Sequence, residues 1–78
     1  MKDLNHELSE YIKLIRFKKK LSQEDVANKI KVSRVTYGIW ENNPTKIDLD
    51  TLSKISDALE TDISIFFNQY IAICNNKM

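Results

Sequence analysis

Only one glycine, Gly38, and one proline, Pro44, interrupt this chain of 78 residues. Hairpins and barrels need repeated turn formers, so their scarcity argues against β architectures and favours a helical domain. A hydrophobic fraction of 42% supplies one compact core, and the length leaves no room for a second domain or an enzyme with a deep cleft. We therefore predict one all-α domain over residues 1–78.

Apolar spacing and capping residues predict the first two helices. A helix over about residues 5–19 is indicated by apolar side chains at helical spacing, namely Leu4, Leu8, Tyr11, Ile12 and Ile15. Ser22 is followed three residues later by Asp25, an arrangement in which each side chain can bond to the other residue's backbone amide. This start signal predicts a second helix over about residues 23–30, followed by a short turn at residues 31–33.

Three further helices are predicted by the same reasoning. Ser33 caps a helix over about residues 34–42. Residues 42–46 have loop composition, because asparagine and proline both discourage helix continuation. Asp48 caps a fourth helix, and a fifth begins at Asp62. The residues predicted to face inward are Tyr37 and Trp40 in the third helix, Leu49, Leu52, Ile55, Ser56 and Leu59 in the fourth, and Ile63, Phe66, Phe67, Tyr70, Ile71 and Cys74 in the fifth.

The one cysteine and the one histidine lie near opposite ends of the chain. Cys74 has no partner for an intramolecular disulfide and His6 has no neighbouring ligand, so we expect no disulfide framework, no metal site and no cofactor. A nucleophile with a base and an orienting group is not available from this inventory, so we predict that the protein is not an enzyme. No apolar run approaches the length of a membrane span and the first residues are charged, which predicts a cytoplasmic location.

Two short helices joined by a tight turn have the layout of a helix-turn-helix. Several spaced motifs lie in and around that layout: Leu21-Ser22-Gln23-Glu24-Asp25-Val26-Ala27, Val32-Ser33-Arg34, Trp40-Glu41-Asn42, Leu49-Asp50-Thr51-Leu52 and Ala58-Leu59. Together they closely resemble the consensus of the Cro/repressor (XRE-type) DNA-binding family of bacterial and phage transcriptional regulators, over roughly residues 11–67. The resemblance implies a compact five-helix, lambda-repressor-like fold whose third helix enters the major groove of double-stranded DNA.

Carried over position by position, the resemblance also implies which residues contact DNA. The implied base-reading residues are Arg34, Val35, Gly38 and Ile39, and the implied backbone contacts are Gln23, Ser33, Thr36, Asn42, Asn43 and Lys46. The chemistry agrees, since Arg34 can offer two parallel donors to guanine, while Val35 and Ile39 can contact thymine methyl groups. Arg16 and Glu41 match positions that resemble an internal ion pair joining the first helix to the end of the third.

The chain departs from the family pattern at several positions. Lys20 and Lys31 stand at helix ends where the family usually has glycine, although left-handed backbone costs other residues roughly 1 to 2 kcal/mol. Gly38 and Ile39 replace longer or more polar side chains, which leaves Arg34 as the main hydrogen-bonding reader. For Lys20, and for Lys13 on the same side of the first helix, we favour solvated charge, with phosphate contact as the alternative.

The fifth helix is apolar nearly all round, because Ile65, Ala72 and Ile73 lie outside its predicted inward face. We predict that its second apolar side pairs with the same helix of another subunit across residues 63–74. The predicted interface residues are Ile65, Tyr70, Ala72 and Ile73. Such a homodimer places two recognition helices about 34 Å apart over a pseudo-palindromic operator. The alternative is a frayed tail with a little core packing.

The net charge of +1 conceals a polarised chain. Residues 11–46 carry nine Lys or Arg against three acids, net +6, whereas residues 1–10 and 47–78 are net −2 and −3. The positive block coincides with the segment that is implied to face phosphates.

We therefore predict a sequence-specific regulator of transcription, acting as a repressor or autoregulator. Family roles that suit a chain of this size are phage repressor, controller of a restriction-modification locus, and antitoxin. The alternative function is a protein-binding module that keeps the fold and binds a toxin or a polymerase subunit through its apolar last helix.

Overall fold

The structure, a computed structural model, describes residues 3–75. Within this range it contains five α-helices and one 3-10 turn, and no strand. The elements are α1 (Leu4–Lys18), α2 (Gln23–Lys29), α3 (Arg34–Asn42), the 3-10 turn (Pro44–Lys46), α4 (Leu49–Ala58) and α5 (Ser64–Asn75). The all-α, five-helix prediction is confirmed, and the predicted helix bounds agree with the observed ones to within two residues. None of the described helices is long and apolar enough to cross a membrane.

Side-chain caps begin α2 and α4 where the sequence predicted them. Ser22 Oγ accepts from the Asp25 amide at 3.0 Å, and Asp25 Oδ2 accepts from the Ser22 amide at 2.8 Å. Asp48 Oδ1 accepts from the Thr51 amide at 2.8 Å. Hydrogen bonds from the Ser22 amide and hydroxyl lower the pKa of Asp25, and those from the Thr51 hydroxyl and amide lower the pKa of Asp48. Asp25 and Asp48 therefore accept these bonds as carboxylates.

The core joins α1, α2, α3, α4 and the first turn of α5. Its buried residues are Ile12, Ile15, Val26, Ala27, Tyr37, Ile55, Ala58, Leu59 and Phe66. The Phe66 ring meets the Tyr11 ring edge-on, with 6.2 Å between the ring centroids. Burying one large aliphatic side chain contributes about 1.5 to 3 kcal/mol, so this cluster supplies the main drive for folding.

Three non-glycine residues close helix ends in the left-handed conformation. Lys20, Lys31 and Glu60 have φ values of 59°, 61° and 57°. After each of them a backbone amide bonds back to the helix, as when the Val32 amide donates to the Ala27 carbonyl at 3.0 Å. This is the Schellman arrangement, which satisfies carbonyls that the helix end would leave unpaired. Lys20 and Lys31 thus adopt the conformation that glycine would adopt at lower cost.

The structure contradicts part of the predicted inward face of α4 and α5. The residues predicted to be buried but found exposed are Leu49, Phe67, Tyr70 and Ile71. Leu49 is the first residue of α4, where no earlier turn of that helix covers its side chain. On α5 the buried residues are Phe66, which was predicted to face inward, and Ile73, which was not; they lie seven residues, or about two turns, apart.

The observed orientation of α5 also changes which of the predicted interface residues are accessible to a partner. Ile73, predicted to face a partner subunit, is only 6% exposed, and Ile65 packs against the core cluster. Tyr70, which was predicted both to face inward and to lie at the interface, is exposed, and so is Ala72. A helix that is apolar nearly all round offers several equivalent stripes, so its sequence does not select the one that packs on α1.

Candidate nucleic-acid interface

The four predicted base-reading residues lie together on the outer side of α3. They are Arg34, Val35, Gly38 and Ile39, at positions i, i+1, i+4 and i+5 of the helix. Val35 and Ile39 are 64% and 57% exposed although both are large and apolar. Arg34 is exposed as well, and Gly38 is half-buried between them. The opposite side of α3 is buried, because Tyr37 and Glu41 point into the protein. This outer side therefore combines one guanidinium with two branched apolar side chains.

The N-terminus of α3 presents hydroxyl groups and no acidic side chain in its first turn. Ser33 Oγ accepts from the Thr36 amide at 3.0 Å and donates to Thr36 Oγ1 at 2.9 Å. The Thr36 hydroxyl hydrogen is therefore directed away from Ser33. A helix N-terminus carries partial positive charge, so this end of α3 is electrostatically suited to a phosphate.

A buried polar network, which we call the Glu41 network, holds α3 against α1 and α2. The Glu41 side chain is fully buried and accepts from Arg16 Nε at 2.8 Å, Arg16 Nη2 at 3.3 Å and the Tyr37 hydroxyl at 2.6 Å. It also accepts from Gln23 Nε2 at 3.1 Å. Arg16 Nη1 donates to the Leu21 carbonyl at 2.9 Å, which ties the network to the turn before α2. Every member has a partner, as a buried charge requires.

The network also changes the chemistry of its members. Burial, and then the hydrogen bond to Glu41, raise the pKa of the Tyr37 hydroxyl far above its ordinary value, so it stays protonated and donates. Gln23, predicted to contact the DNA backbone, has one amide hydrogen engaged by Glu41. Nε2 carries a second hydrogen that this bond does not use, and the bond to Glu41 limits the directions in which it can point. No local pattern indicates this link, because Gln23 and Glu41 lie 18 residues apart along the chain.

The segment after α3, residues 42–46, holds the other predicted backbone contacts, and we call it the α3–α4 loop. Asn42 and Lys46 are exposed. Asn43 is half-buried, and its side-chain Nδ2 donates to the Ile39 carbonyl at 2.9 Å. Asn43 therefore closes the end of α3, while Asn42 and Lys46 extend from the surface beside it.

Sequence reasoning missed one residue next to this loop. Asn5, in the first turn of α1, donates from Nδ2 to the Asn42 carbonyl at 2.9 Å. Its Oδ1 accepts from the Thr45 amide at 3.1 Å and from the Thr45 hydroxyl at 2.7 Å. The partners lie 37 and 40 residues away along the chain, so no local pattern in the sequence points to them.

Several other cations are directed at the protein itself. Lys13 Nζ lies 3.6 Å from Glu10 on the same helix. Lys29 Nζ donates to the Ala58 carbonyl and to Glu60 Oε2, both at 3.3 Å, at the end of α4. Lysines at a helix C-terminus complement the helix dipole, so Lys29 has a structural role here. Across residues 3–75, no group of three or more His, Cys, Asp or Glu side chains is placed to hold a metal ion.

Comparison with known proteins agrees with this geometry. The family model described as helix-turn-helix (HTH_3) matches residues 12–66. The chain belongs to this XRE-type helix-turn-helix family. Among solved structures, it is similar to the wild-type restriction-modification controller protein C.Esp1396I, with 30% sequence identity and a TM-score of 0.79 over 94% of this chain and 95% of that one.

A point mutant of the same controller protein is similar to an equal degree, with 29% identity and a TM-score of 0.78 over 96% of this chain and 97% of that one. No curated protein sequence matches the chain significantly. Membership of the XRE-type family confirms the family resemblance and the fold predicted from the sequence, and it makes this protein a DNA-binding regulator of transcription. The roles of single residues at the DNA remain predictions.

Proposed function

We propose that the protein binds a pseudo-palindromic operator as a homodimer, with α3 in the major groove, and represses or autoregulates a promoter. The observation that carries the proposal is the outer side of α3, where an arginine and two exposed apolar residues lie together on a helix fixed from behind by the Glu41 network. A regulator of this kind works in the cytoplasm, where bacterial DNA lies. It needs neither a cofactor nor a catalytic site.

The outer side of α3 is proposed to contact the bases. Arg34 can donate two parallel hydrogen bonds to guanine O6 and N7, which only the major groove presents together. Val35 and Ile39 flank it and are suited to thymine methyl groups. Gly38 has no side chain, so the backbone of α3 can approach the bases closely at that position. The proposed preference is therefore for a short element that combines guanine with thymine.

Backbone contacts are proposed on both sides of that helix. Gln23 and Thr36 each have a hydrogen free to donate, while the exposed Asn42 and Lys46 add an amide and a cation. Ser33 already donates to Thr36, and Asn43 uses an amide hydrogen within α3. We therefore assign Ser33 and Asn43 mainly to shaping the ends of α3, with phosphate contact through the hydrogens and amides that remain.

The dimer surface is proposed from exposure rather than from the sequence pattern. Phe67, Tyr70 and Ile71 lie at i, i+3 and i+4 on the outer side of α5, and all three are exposed. Leu49 is exposed at the start of α4 and lines, with Phe67 and Tyr70, an apolar groove of about 330 Å³. Contiguous exposed apolar surface of this kind marks an interaction site. A twofold dimer through Leu49, Phe67, Tyr70 and Ile71 covers it.

Selection of binding sites from random duplex DNA tests the proposal directly. We expect enrichment of a twofold-symmetric motif with half-sites about one helical turn apart, because two α3 helices on one dimer read successive major grooves. Affinity for the selected site should fall steeply as salt rises, since phosphate contacts release counterions. If no sequence is enriched, the proposal fails.

In that case the alternative is a protein-binding module that uses the apolar surface of α5. The exposed Phe67, Tyr70 and Ile71 are the observation that favours it. Binding to a toxin or a polymerase subunit through an apolar surface should change little with salt.

Replacing Arg34 tests the mode of reading. Arg34→Ala should weaken binding to the selected site by about 1 to 3 kcal/mol and relax the preference at one base pair in each half-site. The matched control is Lys31→Ala, which removes an exposed cation from the neighbouring turn and should leave base preference unchanged. Selection and affinity that do not change in Arg34→Ala would remove Arg34 from the reading set.

A further inference from the structure

We infer that Asn5 is a positioning residue for DNA binding, which holds the α3–α4 loop so that Asn42 and Lys46 meet phosphates. The inference rests on the proposed function and adds to it a residue that lies outside the helix-turn-helix. Asn5 belongs to α1, and it is bonded to the loop by the three hydrogen bonds described above.

The orientation of the Asn5 amide follows from its partners. The Asn42 carbonyl can only accept and the Thr45 amide can only donate, so Nδ2 must face Asn42 and Oδ1 must face Thr45. The Thr45 hydroxyl then donates to the same oxygen. One side chain thus donates to the loop at Asn42 and accepts from it at Thr45, so it holds the loop at two points.

Among the described residues, the other hydrogen bonds of the loop join it to positions close in sequence. The bonds that start and end near it are local: Asn43 Nδ2 donates to the Ile39 carbonyl, and the Lys46 amide donates to the Asn43 carbonyl at 3.0 Å. These shape the turn but do not fix it relative to α1. The Asn5 bonds reach Asn42 and Thr45, on either side of Pro44. Of the two exposed side chains proposed for phosphate contact, one belongs to Asn42 itself and the other to Lys46, the residue after Thr45.

The stability of α1 does not require asparagine at position 5. The start of α1 is capped by Asp3, whose Oδ1 accepts from the Asn5 backbone amide at 3.2 Å, and any residue supplies that amide. Alanine favours a helix more than asparagine does. Asn5→Ala therefore keeps the cap and removes only the side-chain link to the loop.

The experiment measures binding to the selected duplex with single phosphates replaced, one at a time, by uncharged methylphosphonates. The phosphates held by the loop are those whose replacement no longer weakens binding in Lys46→Ala. On unmodified duplex, Asn5→Ala should weaken binding by roughly tenfold, because the loop contacts lose their fixed geometry. At the loop phosphates the methylphosphonate penalty should largely disappear, while at those held by the start of α3 it should persist. Base preference should not change.

Two further variants separate positioning from folding. Thr45→Val keeps the backbone amide and the branched shape but loses the hydroxyl donor, so it should show the same phosphate pattern with a smaller loss. Together with Asn5→Ala it should give less than the product of the two separate losses, since both changes break one link. Asn28→Ala is the matched control, because Asn28 is exposed on α2 and far along the chain from the loop, and it should leave every penalty unchanged.

Loss of affinity spread evenly over all phosphates, or penalties at the loop phosphates that stay as large as in the wild type, would overturn the inference. If Asn5→Ala is unfolded, Thr45→Val alone decides by the same criterion. A wild-type chain that binds no duplex overturns the proposed function instead. A wild-type chain that binds, with an Asn5→Ala profile identical to it, overturns only the role of Asn5.

Discussion

At the Glu41 network, where α1, α2 and α3 meet, one buried carboxylate accepts four hydrogen bonds from three side chains. On α5, three large apolar side chains, Phe67, Tyr70 and Ile71, are instead exposed. Hydrogen bonds are directional, so the network admits one arrangement of its helices. Burial of apolar surface has no direction, so several sides of α5 suit the core equally well.

The difference assigns separate roles to the two regions. A fixed junction sets the angle of α3 and therefore the positions of the proposed base-reading residues. An apolar side left exposed is available to a second chain, as the proposed dimer requires. Among the described residues, every buried side-chain nitrogen or oxygen has a hydrogen-bond partner, so the network region carries little room for rearrangement. We expect substitutions there to act on stability, and substitutions on the outer side of α5 to act on assembly.

The largest expected effect is at the network itself. Glu41→Ala should lower the free energy of unfolding by about 3 to 5 kcal/mol, because it leaves Arg16 and the Tyr37 hydroxyl without their buried acceptor. Urea unfolding at pH 7 measures it. Glu41→Gln keeps one acceptor oxygen and is the control, with a smaller loss. A loss below about 1 kcal/mol for Glu41→Ala would show that the junction is not held by the network.

On α5 the expected effect is on assembly rather than folding. Phe67→Asp with Ile71→Asp should give monomers in sedimentation and weaken operator binding by roughly 100-fold, because each half-site is then bound independently. The stability of the monomer should change little, since both side chains are exposed. Asn68→Asp, between them in sequence, is the control for added charge. Persistence of the dimer would refute the proposed interface.

A smaller effect on stability is expected at the two turns that precede α2 and α5. Lys20→Gly, before α2, should raise the free energy of unfolding by about 1 kcal/mol, because glycine adopts positive φ without a side-chain clash. Glu60→Gly, before α5, should gain less, since it also loses the exposed ion pair with Lys29 at 3.3 Å. Thermal unfolding of both variants against Lys18→Gly, which stands within a helix and should be destabilising, measures the difference. A destabilised Lys20→Gly would contradict the left-handed assignment.

The smallest expected effect is on how stability depends on pH, through one aspartate at the start of α2 and one before α5. The pKa of Asp25, which caps α2, and of Asp62, which precedes α5, are both lowered by hydrogen bonds, from Ser22 and from Ser64 respectively. The unfolded chain therefore takes up these protons at higher pH than the folded one, so stability is present above the ordinary value of 3.8 and declines as pH falls below it. Asp25→Asn and Asp62→Asn should each flatten that decline in urea unfolding between pH 5 and 2, and an unchanged slope would contradict the assignment.

Much of the fold and part of the candidate site followed from short-range patterns. Ser22, Ser33 and Asp48 predicted helix starts correctly because a capping bond spans only three residues and its strength depends on little else. The recognition helix and its exposed residues were reached through the family motifs. The pairing of Arg16 with Glu41 was implied in the same way, and the two side chains lie in contact.

The inward side of α5 was predicted correctly at Phe66 but wrongly at Phe67, Tyr70 and Ile71, for the opposite reason. Ile73 and Ile71 are equally apolar, and only the position of α1 decides that the first is buried and the second exposed. The links of Gln23 to Glu41 and of Asn5 to the α3–α4 loop were missed because their partners are brought together only by folding.

The sequence by itself determined where the helices begin, that they form a helix-turn-helix, and which side of α3 carries the proposed base-reading residues. Those properties rest on capping, periodicity and motif spacing, which act within a few turns of the chain. The tertiary structure alone decided which apolar side of α5 remains exposed and how the α3–α4 loop is held by α1. Both depend on the packing of elements that are far apart along the chain, where burial and long-range hydrogen bonds select one arrangement among several that the local sequence permits.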